Sequence, residues 1–310
     1  MKRKFILAII FFALIFIILG KKTFQNDDPI FTVDNNSGEI NLGEDNTVEQ
    51  KIDDEILFLL MGVDANGTKT YKGTRTDTMM LFKVNFDTGE TNLLSIPRDT
   101  RVLVKGKNDK ITHAHSIGGP ELTMMTVREF LNLDIDYYVK VDFNAVMEIV
   151  DAIGGVEIDV PRNMEYTADP TLNINIKKGL QVLDGKNAHD FLRWRHNNDM
   201  TLGYVDGDVG RIQAQQMFMK EFIKQTLKIK NITKLPKIIK SYYKNVETNI
   251  PMDVILQGAK LATKLDINNI NTETIPGEGK YIGEASYYVY DEEKTELLIM
   301  EIFDDYLLNE

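Results

Sequence analysis

From residue 55 onward the chain alternates between short apolar runs and amphipathic stretches. Glu55–Val63, "EILFLLMGV", is a continuous apolar run typical of a strand that is buried on both faces. "TDTMMLFKVNF" and "TNLLSI" predict two further strands, joined by a hairpin turn at Asp87-Thr88-Gly89. Shorter strands are predicted for "YYVKV" and "VEIDV" and near residues 271–275.

Apolar residues at helical spacing lie between these strands. Asp142, Asp184 and Asp208 are each suited to cap the start of a helix, because a carboxylate accepts hydrogen bonds from the first free N–H groups. Helices are predicted from Pro120 to about Asn132, after Asp142 up to Gly154-Gly155, after Asp184 into "FLRWRH", from Arg211 to about Leu227, and near 234–245, 252–264 and 292–308.

Interleaved strands and helices with at least one hairpin predict an α/β fold. Specifically, we expect a three-layer α/β/α domain with a mixed central sheet over residues 55–310, without an internal repeat or a second domain boundary. Residues 24–54 are rich in Asp, Asn, Glu, Gly and Ser and show no sustained apolar period. They predict a polar stalk outside the cytoplasm.

The first 23 residues predict a transmembrane signal-anchor. "MKRK" precedes an unbroken apolar run from Phe5 to Leu19, and Lys21 and Lys22 follow it. No small-x-small cleavage site follows, which favours an anchor over a cleaved signal peptide, the alternative. The cationic start predicts a cytoplasmic N-terminus, so we expect a single-pass protein of the cell membrane with its domain outside.

The composition argues against several classes of protein and site. The 310-residue chain has a net charge of −11, which argues against a protein that coats nucleic acid. It has no cysteine, which excludes disulfides, thiolate metal sites and cysteine nucleophiles. A hydrophobic content of 43% is enough for a buried core.

Arginine is scarce and unevenly placed. Only nine of the 36 Lys and Arg residues are arginine, and three of these, Arg193, Arg195 and Arg211, fall within nineteen positions. Together with Arg75 and Arg98, each lies at the end of a predicted element. The planar guanidinium binds phosphate oxygens bidentately, so these arginines form a candidate phosphate site. For Arg98, a surface ion pair with Asp99 is the alternative.

Two carboxylates and two histidines are further candidates. Asp64 follows a buried strand and Asp77 begins the next, so both would lie at one edge of the sheet and could hold Mg²⁺. The alternative is that they cap strand ends. "DANG" is not an EF-hand, because Arg75 occupies the twelfth position. His113 and His115 lack a third zinc ligand at recognisable spacing, which favours structural roles or positions at the rim of a site for both.

An ordered set of motifs resembles a known family. "LLMGVD", "TRTDTMML", "LLSIPRDT", "KVDFNAVMEIVDAIGGVEIDV", "LDGKNAHDFLRWRH" and "DVGRIQAQQ" follow the anchor in this order. The set closely resembles the LytR–CpsA–Psr family of cell-wall assembly enzymes of Gram-positive bacteria, most strongly over residues 55–228. Two details depart from the family pattern: Ala214 stands where an arginine is common, and the segment after "KI" reads "THAHS".

The resemblance implies a phosphotransferase. Such enzymes move an anionic glycopolymer, such as teichoic acid or capsular polysaccharide, from a polyprenyl-pyrophosphate carrier to a peptidoglycan hydroxyl. It implies that Asp64 and Asp77 hold Mg²⁺, with Mn²⁺ as an alternative. It further implies a pyrophosphate site whose members are Arg75, Arg98, Arg193, Arg195, Arg211 and Gln215.

The general base stays open between Asp208 and Asp199, which are candidates by proximity in sequence. We place Asp208 with Arg75, Arg98, Arg193 and Arg195 among the catalytic residues. The lipid tail needs an apolar channel. It could be lined by residues that are otherwise expected in the ordinary core: Met79, Leu81, Met124, Met125 and Phe130.

Three alternatives to the transferase remain: a lipid-pyrophosphate hydrolase with the same site, a membrane-tethered transcriptional regulator, and a glycopolymer-binding protein without catalysis. Export and negative charge argue against the regulator.

One geometric condition follows for "FLRWRH". In a continuous helix Arg193 and Arg195 would point about 200° apart and could not share a ligand. If both bind one pyrophosphate, the chain must leave helical geometry near Trp194.

Overall fold

A computed structural model describes residues 31–33, 40–42, 55–63, 72–169, 172–204, 208–226, 246–251, 254 and 269–308, and the structural statements below concern these residues. The predicted anchor lies outside them, as do the predicted helix near 234–245 and, apart from residue 254, the one near 252–264. Within the described ranges, no helix has the length and apolar character needed to cross a membrane.

A mixed sheet of six strands forms the centre of the fold. In chain order the strands of the described residues are β1 (Phe31–Val33), β2 (Ile40–Leu42), β3 (Glu55–Val63), β4 (Thr76–Asn85), β5 (Thr91–Ser95), β6 (Arg101–Val104), β7 (Lys107–Lys110), β8 (Tyr137–Asp142), β9 (Val156–Val160), β10 (Met164–Asp169), β11 (Leu172–Ile176), β12 (Gly179–Leu183), β13 (Val246–Thr248), β14 (Ile270–Thr274), β15 (Gly277–Ile282) and β16 (Ala285–Tyr290). The central sheet has the order β13-β8-β3-β4-β5-β14. β8 runs parallel to β3 and β14 parallel to β5, and the other pairs are antiparallel.

The β4–β5 hairpin is confirmed. Its turn is built by Asn85, whose side-chain oxygen accepts hydrogen bonds from the N–H groups of Asp87 and Thr88. Gly89 follows with φ = 76°, a left-handed conformation that glycine adopts without steric cost. The remaining strands pair as separate two-stranded units, such as β6–β7 and β15–β16, which the hydrophobic pattern did not predict.

Helices cover both faces of the sheet. They are α1 (His113–Leu131), α2 (Phe143–Ile153), α3 (Gly185–Arg193), α4 (Asp208–Thr226) and α5 (Glu292–Phe303). Helices α2, α3 and α4 share one apolar core with one face of the sheet, and α1 and α5 share a second core with the other face. The predicted α/β/α layering with a mixed sheet is therefore confirmed for the described domain.

Strand alternation divides the two cores. On β4, Met80 and Phe82 belong to the α2–α3–α4 side, whereas Met79 and Leu81 belong to the α1–α5 side. Successive side chains of a strand point to opposite faces, so neighbouring residues of one apolar run enter different cores.

Helix ends differ in part from the prediction. Asp142 and Asp184 cap α2 and α3 as expected, each accepting a hydrogen bond of 2.8 Å from a backbone N–H three residues on. In α1 a first helical turn precedes the predicted start, and Gly118 and Gly119 break the helix before Pro120. The C-terminal helix ends at Phe303, earlier than predicted, and a 3₁₀ turn, Asp304–Tyr306, follows it.

Candidate active site

Five strands of the central sheet contribute to one edge, near which Asp77 and Arg98 lie. Val63 at the end of β3 pairs with Thr76 at the start of β4 and with Asp142 at the end of β8. On the far side of β4, the end of β5 pairs with the end of β14 through Ser95 and Thr274. We call this the site edge. Asp77 lies on β4, which begins at this edge. Arg98 lies on the segment that follows the end of β5.

A β-bulge sets Asp77 apart from its neighbours. Thr76 pairs with Val63 and Thr78 with Gly62, which leaves Asp77 without a partner in β3. Bulges interrupt the alternation of a strand and re-aim a side chain. The carboxylate of Asp77 accepts a charge-assisted hydrogen bond from Arg98 Nη1, and both side chains are about one quarter exposed.

Arg98 therefore does not form the alternative ion pair with its neighbour. Asp99 instead pairs with Lys110, with 3.0 Å between Oδ1 and Nζ. The Nε of Arg98 is buried and, within the described part of the chain, has no hydrogen-bond partner. The guanidinium of Arg98 is thus bound by the carboxylate of Asp77, while its Nε–H makes no hydrogen bond within the described residues.

The chain leaves helical geometry at Trp194, as the phosphate hypothesis requires. α3 ends at Arg193, and Trp194 has φ = −61° and ψ = 139°, an extended conformation. The guanidinium of Arg193 lies 5.2 Å from the centre of the Phe143 ring. Its Nη1 also donates to His189 Nε2 at 3.3 Å, while His189 Nδ1 donates to the buried carboxylate of Asp190 at 3.0 Å. His189 was not identified from the sequence.

A closed loop carries Arg195. The N–H of Tyr204 donates to the carbonyl of Arg195 at 3.1 Å, and His196 and Gly203 form an isolated β-bridge. Arg162, which the sequence analysis missed, donates from Nη1 to the carbonyl of Gly203. Its guanidinium lies 5.2 Å from the Tyr204 ring centre. Burial raises the pKa of Tyr204 to about 12.

Helix α4 presents Arg211 and Gln215 one turn apart, and both are at least 94% buried. The Nε2 of Gln215 donates to the carbonyl of Leu192 at 3.4 Å, next to Arg193 in the chain. Gln216 anchors α4 to the site edge, because its Nε2 donates to Ser95 Oγ and Thr274 Oγ1, both at 3.0 Å. Ala214, at the position where the family often has arginine, is buried in the apolar core.

An apolar pocket lies between the sheet and helices α2 and α4. Its cavity volume is about 130 Å³. Its apolar walls include Leu60, Met80, Val146, Ile149, Phe218 and Phe222. At the site edge it is lined by Val63, Thr78, Asp142 and Gln215, and Phe143, which contacts Arg193, belongs to the same wall. Of the predicted phosphate ligands, Gln215 therefore lines the pocket itself, and Arg193 contacts its wall through Phe143.

The five residues considered for a lipid channel do not line this pocket, and four of them lie in or against the core of the other face, as the alternative predicts. Met79 and Leu81 are at most 1% exposed in the core on the α1–α5 face, and Met124 and Phe130 pack against that core. Met125 is 52% exposed. The physical reason is the twofold alternation of β4, which turns Met79 and Leu81 away from the face that contains the pocket.

The metal and base candidates are only partly described. In the described ranges no cluster of three or more His, Asp or Glu side chains could hold a metal ion, and Asp64 lies outside those ranges. Asp77 supplies a carboxylate, the hard oxygen ligand that Mg²⁺ prefers, and the residue before Asp64 pairs with the residue before Asp77. Asp77 thus offers one oxygen ligand of the kind that Mg²⁺ takes, and its carboxylate is paired with Arg98 in this structure.

Of the two base candidates, Asp199 fits the role poorly. Its Oδ1 accepts hydrogen bonds from the hydroxyl and the N–H of Thr201, and these bonds hold the pKa of Asp199 below its usual value. A carboxylate with a lowered pKa is a weaker base. Asp208 is the first residue of α4, and its side chain lies outside the described part of the structure.

Fold and site together define an α/β/α protein in which an apolar pocket ends at polar side chains and at the ring of Phe143, which Arg193 contacts. The chain belongs to the LytR_cpsA_psr family, whose model matches residues 24–302. The family resemblance seen in the motifs is confirmed.

Named relatives cover most of the chain. It is 34% identical over 248 residues to the polyisoprenyl-teichoic acid–peptidoglycan teichoic acid transferase TagU of Bacillus cereus, covering 79% of this chain and 77% of that protein. The crystal structure of Bacillus subtilis TagV is 32% identical, with a TM-score of 0.67, and the match covers 81% of this chain and 97% of that one. A structure of TagT bound to LI-WTA is 25% identical with a TM-score of 0.64, covering 83% and 94% of the two chains.

Proposed function

We propose that this protein transfers an anionic glycopolymer, a teichoic acid or a capsular polysaccharide, from a polyprenyl-pyrophosphate carrier to a hydroxyl group of peptidoglycan. The observation that carries the proposal is the apolar pocket whose polar end is lined by Gln215 and by Phe143, the ring that the guanidinium of Arg193 contacts. A prenyl pyrophosphate has the matching division into an apolar tail and an anionic head group. The names of the family relatives support a teichoic acid as the polymer.

The head group is assigned to the site edge. Arg75 and Arg98 would approach the pyrophosphate from the sheet, and Arg193, Arg195 and Arg211, with Gln215, from helices α3 and α4. Fixed guanidinium groups stabilise negative charge that builds on the transferred and leaving phosphates, and they do so without reorganisation. Arg98 is held by Asp77, and Arg193 by His189 and the Phe143 ring, so the side chains are oriented before a ligand arrives.

Asp64 and Asp77 would hold Mg²⁺ at this edge. When bound, the metal neutralises charge on the pyrophosphate oxygens. Mn²⁺, which also takes oxygen ligands, is the alternative cation.

The prenyl tail is assigned to the pocket under α2 and α4. Its walls come from β3, β4, β8 and these two helices, so the tail would lie between the sheet and one helical layer. Burial of apolar surface contributes about 25 cal/mol per Å², and a long prenyl chain offers far more surface than the head group.

The transfer is a single displacement at phosphorus. The peptidoglycan hydroxyl oxygen bonds to the phosphorus that carries the sugar, and the bond from this phosphorus to the bridging oxygen breaks. Polyprenyl phosphate leaves, and the product is a phosphodiester between the two glycans. The hydroxyl proton passes to a base, for which Asp208 is the remaining candidate, because hydrogen bonds weaken Asp199 as a base. Phosphoryl transfer depends mainly on positioning and electrostatics.

A coupled assay tests this function. Full-length protein is incubated with lipid-linked glycopolymer, Mg²⁺ and peptidoglycan oligomers, and covalent polymer–peptidoglycan product and polyprenyl phosphate are measured together. We expect both products in equal amounts. Phosphate release without coupled product would instead establish the hydrolase. Product formed equally well by the Asp64→Ala and Asp77→Ala variants would reject the assigned metal site.

The membrane position is part of the proposal. The N-terminal segment would anchor the chain with residues 55–310 outside the cytoplasm, where peptidoglycan lies. Protease added to intact cells should then degrade the domain. Protection from protease would favour the regulator.

A further inference from the structure

Two backbone carbonyls that flank Arg75 are bound by side chains from a single segment. The hydroxyl of Thr112 donates to the carbonyl of Thr76 at 2.6 Å. His115 Nδ1 lies 2.7 Å from the carbonyl oxygen of Thr74. Because a carbonyl oxygen only accepts, Nδ1 must carry the proton. Arg75 lies between these two fixed points, and its own side chain is exposed.

The same segment also binds the backbone that carries Arg98. The N–H of Thr112 donates to the carbonyl of Arg98 at 3.1 Å, and the N–H of Ile111 donates to the carbonyl of Thr100 at 2.9 Å. Thr112 thus contacts the backbone on both segments that supply arginines to the sheet side of the site. We call Thr112 and His115 the arginine bracket.

Thr112 occupies a position at which threonine usually has another role. It precedes the first residue of α1, where a threonine hydroxyl commonly accepts a hydrogen bond from the helix backbone. Here its side chain makes no such bond, and the hydroxyl is directed to the β4 segment instead. The loss of this hydroxyl would therefore remove the bracket without removing a helix cap.

Burial makes the bracket rigid. Thr112 is 2% exposed, His115 1% and Thr76 0%. Burial also lowers the pKa of His115, which keeps the imidazole neutral and Nδ1 as its donor. Hydrogen bonds inside a low-dielectric environment are strong and costly to leave unmade. A buried bracket beneath an exposed arginine fixes where that side chain leaves the sheet.

We infer that Thr112 and His115 are positioning residues that set the placement of Arg75 and Arg98 toward the pyrophosphate. The inference rests on the proposed function, since it assumes that these arginines bind the head group. It also gives a role to the unusual "THAHS" segment, which the family motifs left unexplained.

Two pairs of matched variants test the bracket in full-length protein. Thr112→Ser and His115→Asn keep a donor at the same place, because the Asn amide nitrogen corresponds to His Nδ1. Thr112→Val and His115→Gln remove it while keeping the size or polarity of the side chain.

Binding of inorganic pyrophosphate with Mg²⁺ is measured by calorimetry, and thermal unfolding is recorded in parallel. Thr126→Val, which removes another buried hydroxyl of α1 that donates to a helix carbonyl, is the control.

We expect Thr112→Val and His115→Gln to weaken pyrophosphate binding roughly tenfold, in line with the cost of misplacing a binding group. The two donor-keeping variants and Thr126→Val should stay within about twofold of the wild type, because each keeps the bracket bonds. In an Arg75→Ala background, Thr112→Val should have a clearly smaller effect, since neighbouring groups that act together are not additive.

Three results would overturn the bracket: wild-type affinity in Thr112→Val and His115→Gln, equal losses in the donor-keeping variants, or an undiminished loss in the Arg75→Ala background. A protein that binds pyrophosphate in this bracket-dependent way but makes no polymer–peptidoglycan product would refute the proposed transfer alone.

Discussion

The two faces of the central sheet are built from the same strands but have different interiors. On the α1–α5 face, Leu59, Met79 and Leu81 are at most 1% exposed and belong to the buried core of that face. On the α2–α4 face, Leu60 and Met80, their immediate neighbours in sequence, line a cavity. A strand buried on both faces can therefore serve stability with one set of side chains and ligand binding with the other.

We expect the largest effect from substitutions at the site edge, where the pocket ends. Arg195→Ala or Asp77→Ala should lower polymer transfer by about 10³-fold, because each removes charge stabilisation or its support from the transition state. Rates are measured with lipid-linked polymer and peptidoglycan oligomers. Arg128→Ala is the control, since Arg128 lies on α1 and pairs with Asp134.

Arg128→Ala should retain transfer at a temperature at which all variants are folded. Full activity of Arg195→Ala or Asp77→Ala would contradict the roles assigned to these residues.

A second variant fills the cavity. Val146→Trp places a large ring in the pocket wall and should raise the KM for a long-chain prenyl donor by about 10–100-fold, because it occupies space assigned to the tail and removes buried contact area. Binding of inorganic pyrophosphate should change little. Kinetics with the long-chain donor and pyrophosphate titration are compared in one preparation.

Met124→Trp is the matched control for cavity filling, because Met124 packs on the opposite face. An equal rise in KM for both tryptophan variants would place the tail elsewhere.

A third test compares the loss of stability when either of two adjacent leucines of β3 is replaced by alanine. Leu59→Ala should lower the free energy of unfolding by about 2–5 kcal/mol, because it opens a cavity around a fully buried side chain. Leu60→Ala should cost about 1 kcal/mol, since this side chain is partly exposed and already borders empty space. Urea unfolding of both variants measures the difference. Equal losses would mean that the two faces are packed alike.

Features of the fold and the site could be predicted from the sequence where they depend on residues close together in the chain, and not where they depend on distant ones. β3, β4, β5 and their hairpin follow from local patterns, and the extended conformation of Trp194 followed from the requirement that two arginines share a ligand. The side of the sheet that contains the pocket could not be predicted, because it depends on how α2 and α4 pack. The bulge at Asp77 also depends on pairing with a distant strand.

Arg162 and His189 were not predicted from the sequence, and the reasons differ. Arg162 lies two residues after the end of β9, so the rule that marked the other arginines, a guanidinium near the end of an element, would have found it. His189 has no such signal. Its contact with Arg193 arises from helical spacing of four residues, which many surface pairs share.

The smallest expected effect concerns pH and the buried His115. Its pKa is lowered from the usual 6.5, mainly by burial, with the ammonium of Lys140 adding to the effect. The unfolded chain therefore binds a proton below about pH 6.5 that the folded protein does not, so stability falls as the pH drops through that range. His115→Asn, which cannot titrate, should lose less stability between pH 7 and pH 5.

Urea unfolding at both pH values, in wild type and His115→Asn, measures this difference directly. Parallel losses in the two proteins would show that His115 is not held neutral by the fold.

The proposed function requires that the pocket and the site edge bind one amphiphilic donor. A crystal structure of the protein with a long-chain polyprenyl pyrophosphate and Mg²⁺ tests it most directly. We expect the tail between the sheet and α2 and α4 and the head group beside Arg98 and Arg193, with the metal between Asp64 and Asp77. A tail bound on the α1–α5 face, or a pyrophosphate away from these arginines, would contradict the account.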